Sequence, residues 1–318
     1  MSAPVKQVAV GLDIGGTKIA AGLVDASGAI VYETTLPTMA AQRQVAAQAI
    51  RAAGQALAEA ASRGLTVRGI GVGSAGQIDF AGGTVLAATD LLPGYGGTPL
   101  AALLQDAFGL PVVLDNDINA LAVAEKTIGR GRGCAHFVCV ALGTGVGGAV
   151  VADGVIVHGA LGAAGELGHL SVKYDGPRCM CGNYGCLELY ASGTGIMRMM
   201  RERWRGDAAA APDSRQVAES WLAGDPEAAL VMNETIAALA TGLASLIHVL
   251  NPQLIVIGGG VADIGEPFLG PLREETKRRT MPALFAGVRI EPAVVGSKSG
   301  MIGAALQLWE YGSERTAP

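Results

Sequence analysis

The chain has 318 residues, half of them hydrophobic, with 16% charged, 4% aromatic and 47 glycines against a usual share of about 7%. That much apolar side chain excludes a disordered polymer, and glycines without a three-residue period exclude collagen. A formal net charge of −5 leaves no phosphate-backbone footprint, so nucleic acid is not expected as a main partner.

The elements follow in chain order. Val5 to Leu12 is an apolar run entered almost at once, with no signal-peptide h-region before it. It ends in Asp13-Ile14-Gly15-Gly16-Thr17-Lys18, and a second run, Ile19 to Val24, returns from that turn. The pair reads as a glycine-rich hairpin. Ala40 to Arg63 predicts a helix, Val67 to Gly73 a strand running into Ser74-Ala75-Gly76, and Thr98 to Phe108 a second helix. Pro111 to Leu114 predicts a buried strand, and Asp115-Asn116-Asp117 separates it from a helical stretch, Ile118 to Glu125. Phe137 to Leu142 is a strand leading into Gly143-Thr144-Gly145-Val146-Gly147-Gly148; Ala149 to Ala152 and Val155 to Val157 return from it. The charge-free stretch Phe137 to Ala152 is shorter than the roughly 20 residues of a membrane helix and is broken by glycines, so no membrane segment is expected. Farther on, Glu188 to Arg205 predicts a helix, Asp207 to Ser214 a loop, Val231 to Leu250 a long apolar helix, Leu254 to Ile257 a strand ending at Gly258-Gly259-Gly260, Val288 to Val295 a last strand, and Gly300 to Trp309 a closing helix.

The run from Val8 to Val24 and the run from Phe137 to Gly154 share one pattern: apolar strand, Gly/Thr turn, apolar strand. The second half therefore reads as a diverged repeat of the first. Two α/β domains, each offering a Gly/Thr hairpin, are expected to face each other across a cleft.

Four motifs carry chemistry. The Gly15-Gly16-Thr17-Lys18 turn is either an ordinary hairpin turn or a phosphate cradle of backbone N–H groups and a hydroxyl, with Lys18 adding charge and Asp13 orienting Mg²⁺ through water. Its partner at Gly143 to Gly148 suits a nucleotide. Asn116-Asp117 is either a helix cap or a general base at the floor of the cleft, accepting a hydroxyl proton during phosphoryl transfer. Gly165-Glu166-Leu167-Gly168-His169 places Glu166 and His169 three apart, on one face if helical. Of the five cysteines, Cys134, Cys139, Cys179, Cys181 and Cys186, the last three have C-x-C-x₄-C spacing. With His169 as the nearest upstream imidazole they predict a closed, structural zinc site rather than a disulfide framework.

Taken in order, DIGGTK (from Asp13), NDINA (from Asn116), GTGVGG (from Gly143), GELGH (from Gly165) and CMCGNYGCLE (from Cys179) resemble the ROK family of sugar kinases and repressors, and most closely its bacterial glucokinases. The resemblance covers essentially the whole chain. It implies a two-domain actin-like (ribonuclease-H-like) α/β fold: residues 1–117 with the C-terminal helix 302–318 as a small domain, and residues 118–301 as a large domain carrying the zinc motif. It implies Asp117 as the base for a sugar 6-hydroxyl, and Asn116, Glu166, His169 and Glu188 as the hydroxyl-binding set. Ser74, Ala75 and Gly76 would border the sugar, Gly259 and Gly260 the nucleoside, and His169, Cys179, Cys181 and Cys186 the zinc. The implied cofactors are ATP, Mg²⁺ and structural Zn²⁺; a homodimer in the cytoplasm is expected.

Three segments depart from many relatives: Ser74-Ala75-Gly76 where they carry Pro-Gly, Asp90 to Tyr95 where they carry Asn-Leu-Pro-Gly-Trp, and Gly148-Ala149 at the end of the second turn. The expected activity is phosphorylation of glucose, with N-acetylmannosamine, N-acetylglucosamine, fructose or mannose as alternative acceptors and polyphosphate as an alternative donor. A sugar-responsive repressor needs a helix-turn-helix ahead of the first strand, and few residues precede it here. A non-catalytic sugar-binding module would not need Asp117 together with both turns.

Overall fold

The computed structural model describes residues 7–88, 91–207 and 210–311. Residues 5 and 6 of the expected first strand, Asp90 of the divergent stretch, residues 208 and 209 of the expected loop and the tail 312–318 lie outside these. The chain divides into two compact units, one of Met1–Gly133, Ile156–Ala164 and Val294–Pro318, the other of Cys134–Val155 and Gly165–Ala293.

The first unit is built on β1 (Gln7–Ile14), β2 (Lys18–Asp25), β3 (Ile30–Pro37), α1 (Val45–Ser62), β4 (Thr66–Ser74), β5 (Gln77–Asp79), β6 (Thr84–Ala87), α2 (Leu100–Phe108), β7 (Val112–Asn116) and α3 (Asp117–Ile128). Its main sheet runs β3-β2-β1-β4-β7. The β1–β2 and β2–β3 pairs are antiparallel; β4 joins β1, and β7 joins β4, in parallel. β1 and β4 are almost wholly buried, as continuous apolar runs covered on both faces should be. The C-terminal helix Ser299–Glu310 lies on this sheet at backbone contact. A Cβ on Gly71 would stand 1.7 Å from Ala304 O, and one on Gly303 would stand 1.7 Å from Ala120 O.

The second unit repeats the plan with β8 (Phe137–Leu142), β9 (Val146–Ala152), β10 (Val155–Ile156), α4 (Glu188–Ala191), α5 (Gly193–Arg203), α6 (Ser214–Leu222), α7 (Pro226–Leu250), β11 (Leu254–Gly258), α8 (Glu266–Arg279), α9 (Pro282–Phe285) and β12 (Arg289–Pro292). Its sheet order is β10-β9-β8-β11-β12. The β8–β9 hairpin is antiparallel, with β11 and β12 added in parallel. Strand for strand this matches the first sheet, so the internal repeat is real at the level of topology. α7 is long and apolar enough to cross a membrane by length and composition. Its Val231, Met232, Leu239, Leu243 and Ile247 are fully buried in this unit's core, which accounts for the apolarity.

Several elements depart from the expectations. α3 packs with the C-terminal helix and belongs to the first unit, so the division falls after Gly133 rather than after residue 117. The predicted helix from Glu188 to Arg205 is two, because Ser192 adopts an extended conformation and its hydroxyl caps α5 by accepting from Gly195 N–H at 2.9 Å. β3 and α8 correspond to none of the expected elements. α8 carries Pro271 in its interior, and burial of Phe268, Leu269 and Leu272 holds it together despite the missing N–H. α6 starts on the last residue of the predicted loop, Ser214, with a capping box in which Asp213 and Gln216 exchange side-chain and backbone bonds.

Candidate active site

In the first unit the expected residues gather at one sheet edge, where β1, β4 and β7 end. Register pairs Asp13 with Gly73, Ile14 with Ser74, and Ser74 with Asn116. The edge outside the carboxyl ends of parallel strands is where open α/β sheets take ligands.

The β1–β2 turn is held from behind. Gly15 N–H donates to Lys18 O at 3.1 Å, and buried Thr38 donates its N–H to Thr17 O at 3.0 Å and its hydroxyl to Gly15 O at 2.7 Å. A Cβ on Gly15 or Gly16 would meet no heavy atom nearer than 3.4 Å, and neither residue lies in the left-handed region. Neither packing nor dihedral strain therefore requires glycine there, and the bare backbone is open to close approach. Asp13 lies against Gly300, where a Cβ would stand 2.7 Å from its Oδ2. Burial raises the Asp13 carboxyl above its ordinary range, and Lys18 pulls it the other way.

At the junction of β7 and α3, Asn116 accepts from Ile118 N–H at 2.8 Å through Oδ1 and donates through Nδ2 to Gly76 O at 3.1 Å. It is thus the N-cap of α3, and it also ties the Ser74-Ala75-Gly76 segment to the start of that helix. Asp117 is the first helical residue; its Oδ1 lies 3.0 Å from Ile118 N. Negative charge is favoured at that end of the helix. Gly76 has a φ of 109°, and a Cβ there would stand 2.4 Å from Ala87 O, so only glycine fits. Ser74 is buried and bonds Tyr95 Oη at 3.1 Å, and burial pushes the Tyr95 phenol up to about 12. Thr38 and Asp115 are structural parts of this edge not expected from the sequence, and Tyr95, which closes the divergent stretch, is a third. For Asp115 a signal existed: three polar residues in a row closing an apolar strand.

In the second unit the β8–β9 turn is gripped by the start of α5. Gly193 N–H donates to Gly143 O at 2.8 Å, and Thr194 Oγ1 donates to Thr144 O at 2.8 Å. Its glycines divide into classes. Gly143 and, after β11, Gly260 have open space where a Cβ would be. Gly145 faces Glu188 Oε2, Gly148 faces Leu167, and Gly259 sits at a φ of 87° against Leu142; these three have internal reasons to be glycine. Gly147 is a ladder residue opposite Ala141. Glu188, the first residue of α4, accepts from Val146 N–H at 3.3 Å, so its carboxylate reaches the turn itself. Glu166 precedes and His169 ends one turn of 3₁₀ helix, Leu167–His169, with Oε2 and Nε2 4.0 Å apart.

The ligand atoms of His169, Cys179, Cys181 and Cys186 all lie within 4.8 Å of one another and can hold a metal ion. Cys179 Sγ is 3.7 Å from His169 Nδ1, and Cys181 Sγ is 3.6 Å from Cys186 Sγ. A tetrahedral zinc with sulfur at about 2.3 Å spaces its ligands about 3.7 Å apart, so the cluster fits that ion. The loop closes because Gly185, at a φ of 61°, passes so near Lys173 O that a Cβ would stand 1.7 Å away. Burial, with the neighbouring thiols, pushes Cys186 up to about 12, whereas the Asn183 backbone pulls exposed Cys181 down.

The ROK family model matches residues 9–310 of the chain. A glucokinase of Thermotoga maritima is 35% identical over 306 residues, an alignment covering 93% of this chain and 95% of that protein. The crystal structure of a ROK hexokinase from Thermus thermophilus superposes with a TM-score of 0.84 at 33% identity, covering 96% of this chain and 99% of the other. A ROK family glucokinase from Streptomyces griseus, in complex with glucose and AMPPNP, superposes with a TM-score of 0.78 at 33% identity, covering 94% and 98%.

Proposed function

The chain belongs to the ROK family and is an ATP-dependent hexose kinase of the actin-like fold; we propose that it phosphorylates glucose at the 6-hydroxyl, with Asp117 as general base. The observation that carries this reading is the placement of Asp117: a carboxylate fixed at the first residue of α3, on the sheet edge that also bears Asp13, Ser74 and Asn116. As the hydroxyl oxygen bonds to the γ-phosphorus, its proton passes to Asp117 and the bond to the bridging oxygen breaks, releasing ADP.

The open backbone at Gly15, Gly16 and Gly143 supports phosphate binding there, with Thr17, Lys18 and Thr144 beside it. Asp13 would hold Mg²⁺ through water and Gly259-Gly260 would border the nucleoside. In the first unit Asn116 would take sugar hydroxyls beside Ser74, Ala75 and Gly76; in the second unit Glu166, His169 and Glu188 would each take a sugar hydroxyl. His169, Cys179, Cys181 and Cys186 would hold a structural zinc, which supplies rigidity rather than chemistry. With His169 Nδ1 turned to the thiols, its Nε2 lies on the side of Glu166. A homodimer in the cytoplasm, implied by the family resemblance alone, is tested by light scattering and cell fractionation.

A coupled ADP-release assay across glucose, mannose, fructose, N-acetylglucosamine and N-acetylmannosamine tests the acceptor. Glucose should give the highest kcat/KM; a higher value for any other sugar overturns the glucose assignment.

A further inference from the structure

Asp115 is fully buried one residue before the Asn116-Asp117 pair. Its Oδ1 accepts from Asn116 N–H at 2.7 Å and from Asn119 Nδ2 at 2.8 Å; its Oδ2 lies 2.8 Å from His158 Nε2 and 3.4 Å from Gln307 Nε2. Asn116 and Asn119 flank Asp117 on either side, so this carboxylate holds both ends of the short segment that presents the base.

His158 belongs to Ile156–Ala164, a strap that folds with the first unit although the chain on both sides of it belongs to the second. The strap is docked at two points. The His158 ring stacks on Phe80 with centroids 3.7 Å apart and planes 14° apart, and Tyr311 lies edge-on to both rings. Gly162 lies so close to the end of β5 that a Cβ would stand 2.6 Å from Ile78 O and 2.7 Å from Phe80 N. Ala164 N–H donates to His158 O at 3.0 Å and closes the strap on itself. Immediately beyond it the chain enters Gly165-Glu166.

Burying a carboxylate is expensive unless donors surround it, and filling space alone would be done better by an apolar side chain. Of the four groups bonded to Asp115, two set the backbone around Asp117 and two come from distant segments, the His158 imidazole at 2.8 Å and the Gln307 amide at a longer 3.4 Å. We propose that His158 is a positioning residue for phosphoryl transfer. With its proton on Nε2 it donates to Asp115, fixes that carboxylate's rotamer, and through it holds Asn116 and the first turn of α3 where Asp117 meets the acceptor hydroxyl. The proposal rests on the kinase reading above, and His158 acts through Asp115.

Two substitutions separate the hydrogen bond from the packing. His158→Gln keeps a donor for Asp115 and loses the ring; His158→Phe keeps a ring on Phe80 and loses the donor. Glucose-dependent ADP release and melting temperature are measured for both and for Phe80→Leu, which loosens the ring and leaves the imidazole. His158→Phe should lower kcat about ten- to a hundredfold, the scale set by small misplacements of a reacting group. Its KM for ATP should stay within about twofold, because the donor site is untouched. His158→Gln should recover much of that kcat, and Phe80→Leu should fall between the two. Equal kcat in the folded Gln and Phe variants, or wild-type kcat in His158→Phe, overturns the proposal. If the Phe variant does not fold, wild-type kcat in Phe80→Leu overturns it and a lowered kcat at unchanged ATP KM supports it. An inactive wild type overturns the kinase reading, and this one with it; an active wild type with indifferent variants overturns this one alone.

Discussion

Asp117→Asn takes away a proton acceptor and keeps the side-chain contacts that cap α3. Asn116 Oδ1 already bonds Ile118 N–H at 2.8 Å, and an amide oxygen at 117 can keep the companion contact at 3.0 Å. At the start of α3 the lost negative charge is worth about 0.3–1 kcal/mol, which corresponds to a fall of about 1–4 °C in melting temperature. The chemical loss is of another order. A positioned general base contributes about 10²- to 10⁴-fold, which is about 2.7–5.4 kcal/mol of barrier. Turnover should therefore collapse while the protein stays folded and still binds hexose. Coupled ADP release gives kcat, calorimetry gives hexose affinity, and a thermal melt checks the fold. A kcat within about tenfold of wild type would show that another group takes the proton. Loss of hexose binding together with a large fall in melting temperature would show that Asp117 serves the fold instead.

Burial holds the Asp13 carboxyl above its ordinary value of 3.8. A folded-state value above the unfolded one makes ionised Asp13 a cost to stability at neutral pH, and the cost disappears once both states are protonated. Asp13→Asn should accordingly raise the melting temperature of the ligand-free protein at pH 7, with the gain shrinking on acidification towards 3.8, while ATP turnover falls; a pH-independent difference between the two proteins would contradict this. Burial pushes the Cys186 thiol up to about 12, so a metal entering the cluster must displace protons. Elemental analysis should find about one zinc per chain, lost on acidification and in Cys186→Ser, and the KM for hexose should rise through His169; protein purified without zinc argues against the site. Gly71→Ala drives a methyl group to 1.7 Å from Ala304 O, and the C-terminal helix must lift. A loss of about 1–3 kcal/mol in urea unfolding is expected, and an unchanged midpoint would mean the helix is not in backbone contact with β4.

The sequence by itself determined the elements whose cause is local. Both hairpins were legible because strand alternation and a Gly/Thr turn are written in adjacent residues, and their likeness exposed the repeat that the two sheets then share. Cys179, Cys181 and Cys186 were legible because ligand spacing is a property of a short loop, and Asn116-Asp117 because the pair stands between an apolar strand and a helix. What tertiary structure decided is pairing at a distance. Asp115 meets His158 43 residues away and Gln307 192 residues away; Ser74 meets Tyr95, and α3 joins the first unit by packing on the C-terminal helix. The abundant glycines show the same division. Their number is plain in the sequence, but Gly71 is there for a helix, Gly76 for a dihedral angle, and Gly15 and Gly143 for neither. A residue's dihedral preference and chemistry are its own, whereas the atoms that crowd it are supplied by whichever distant segments the whole chain packs beside it.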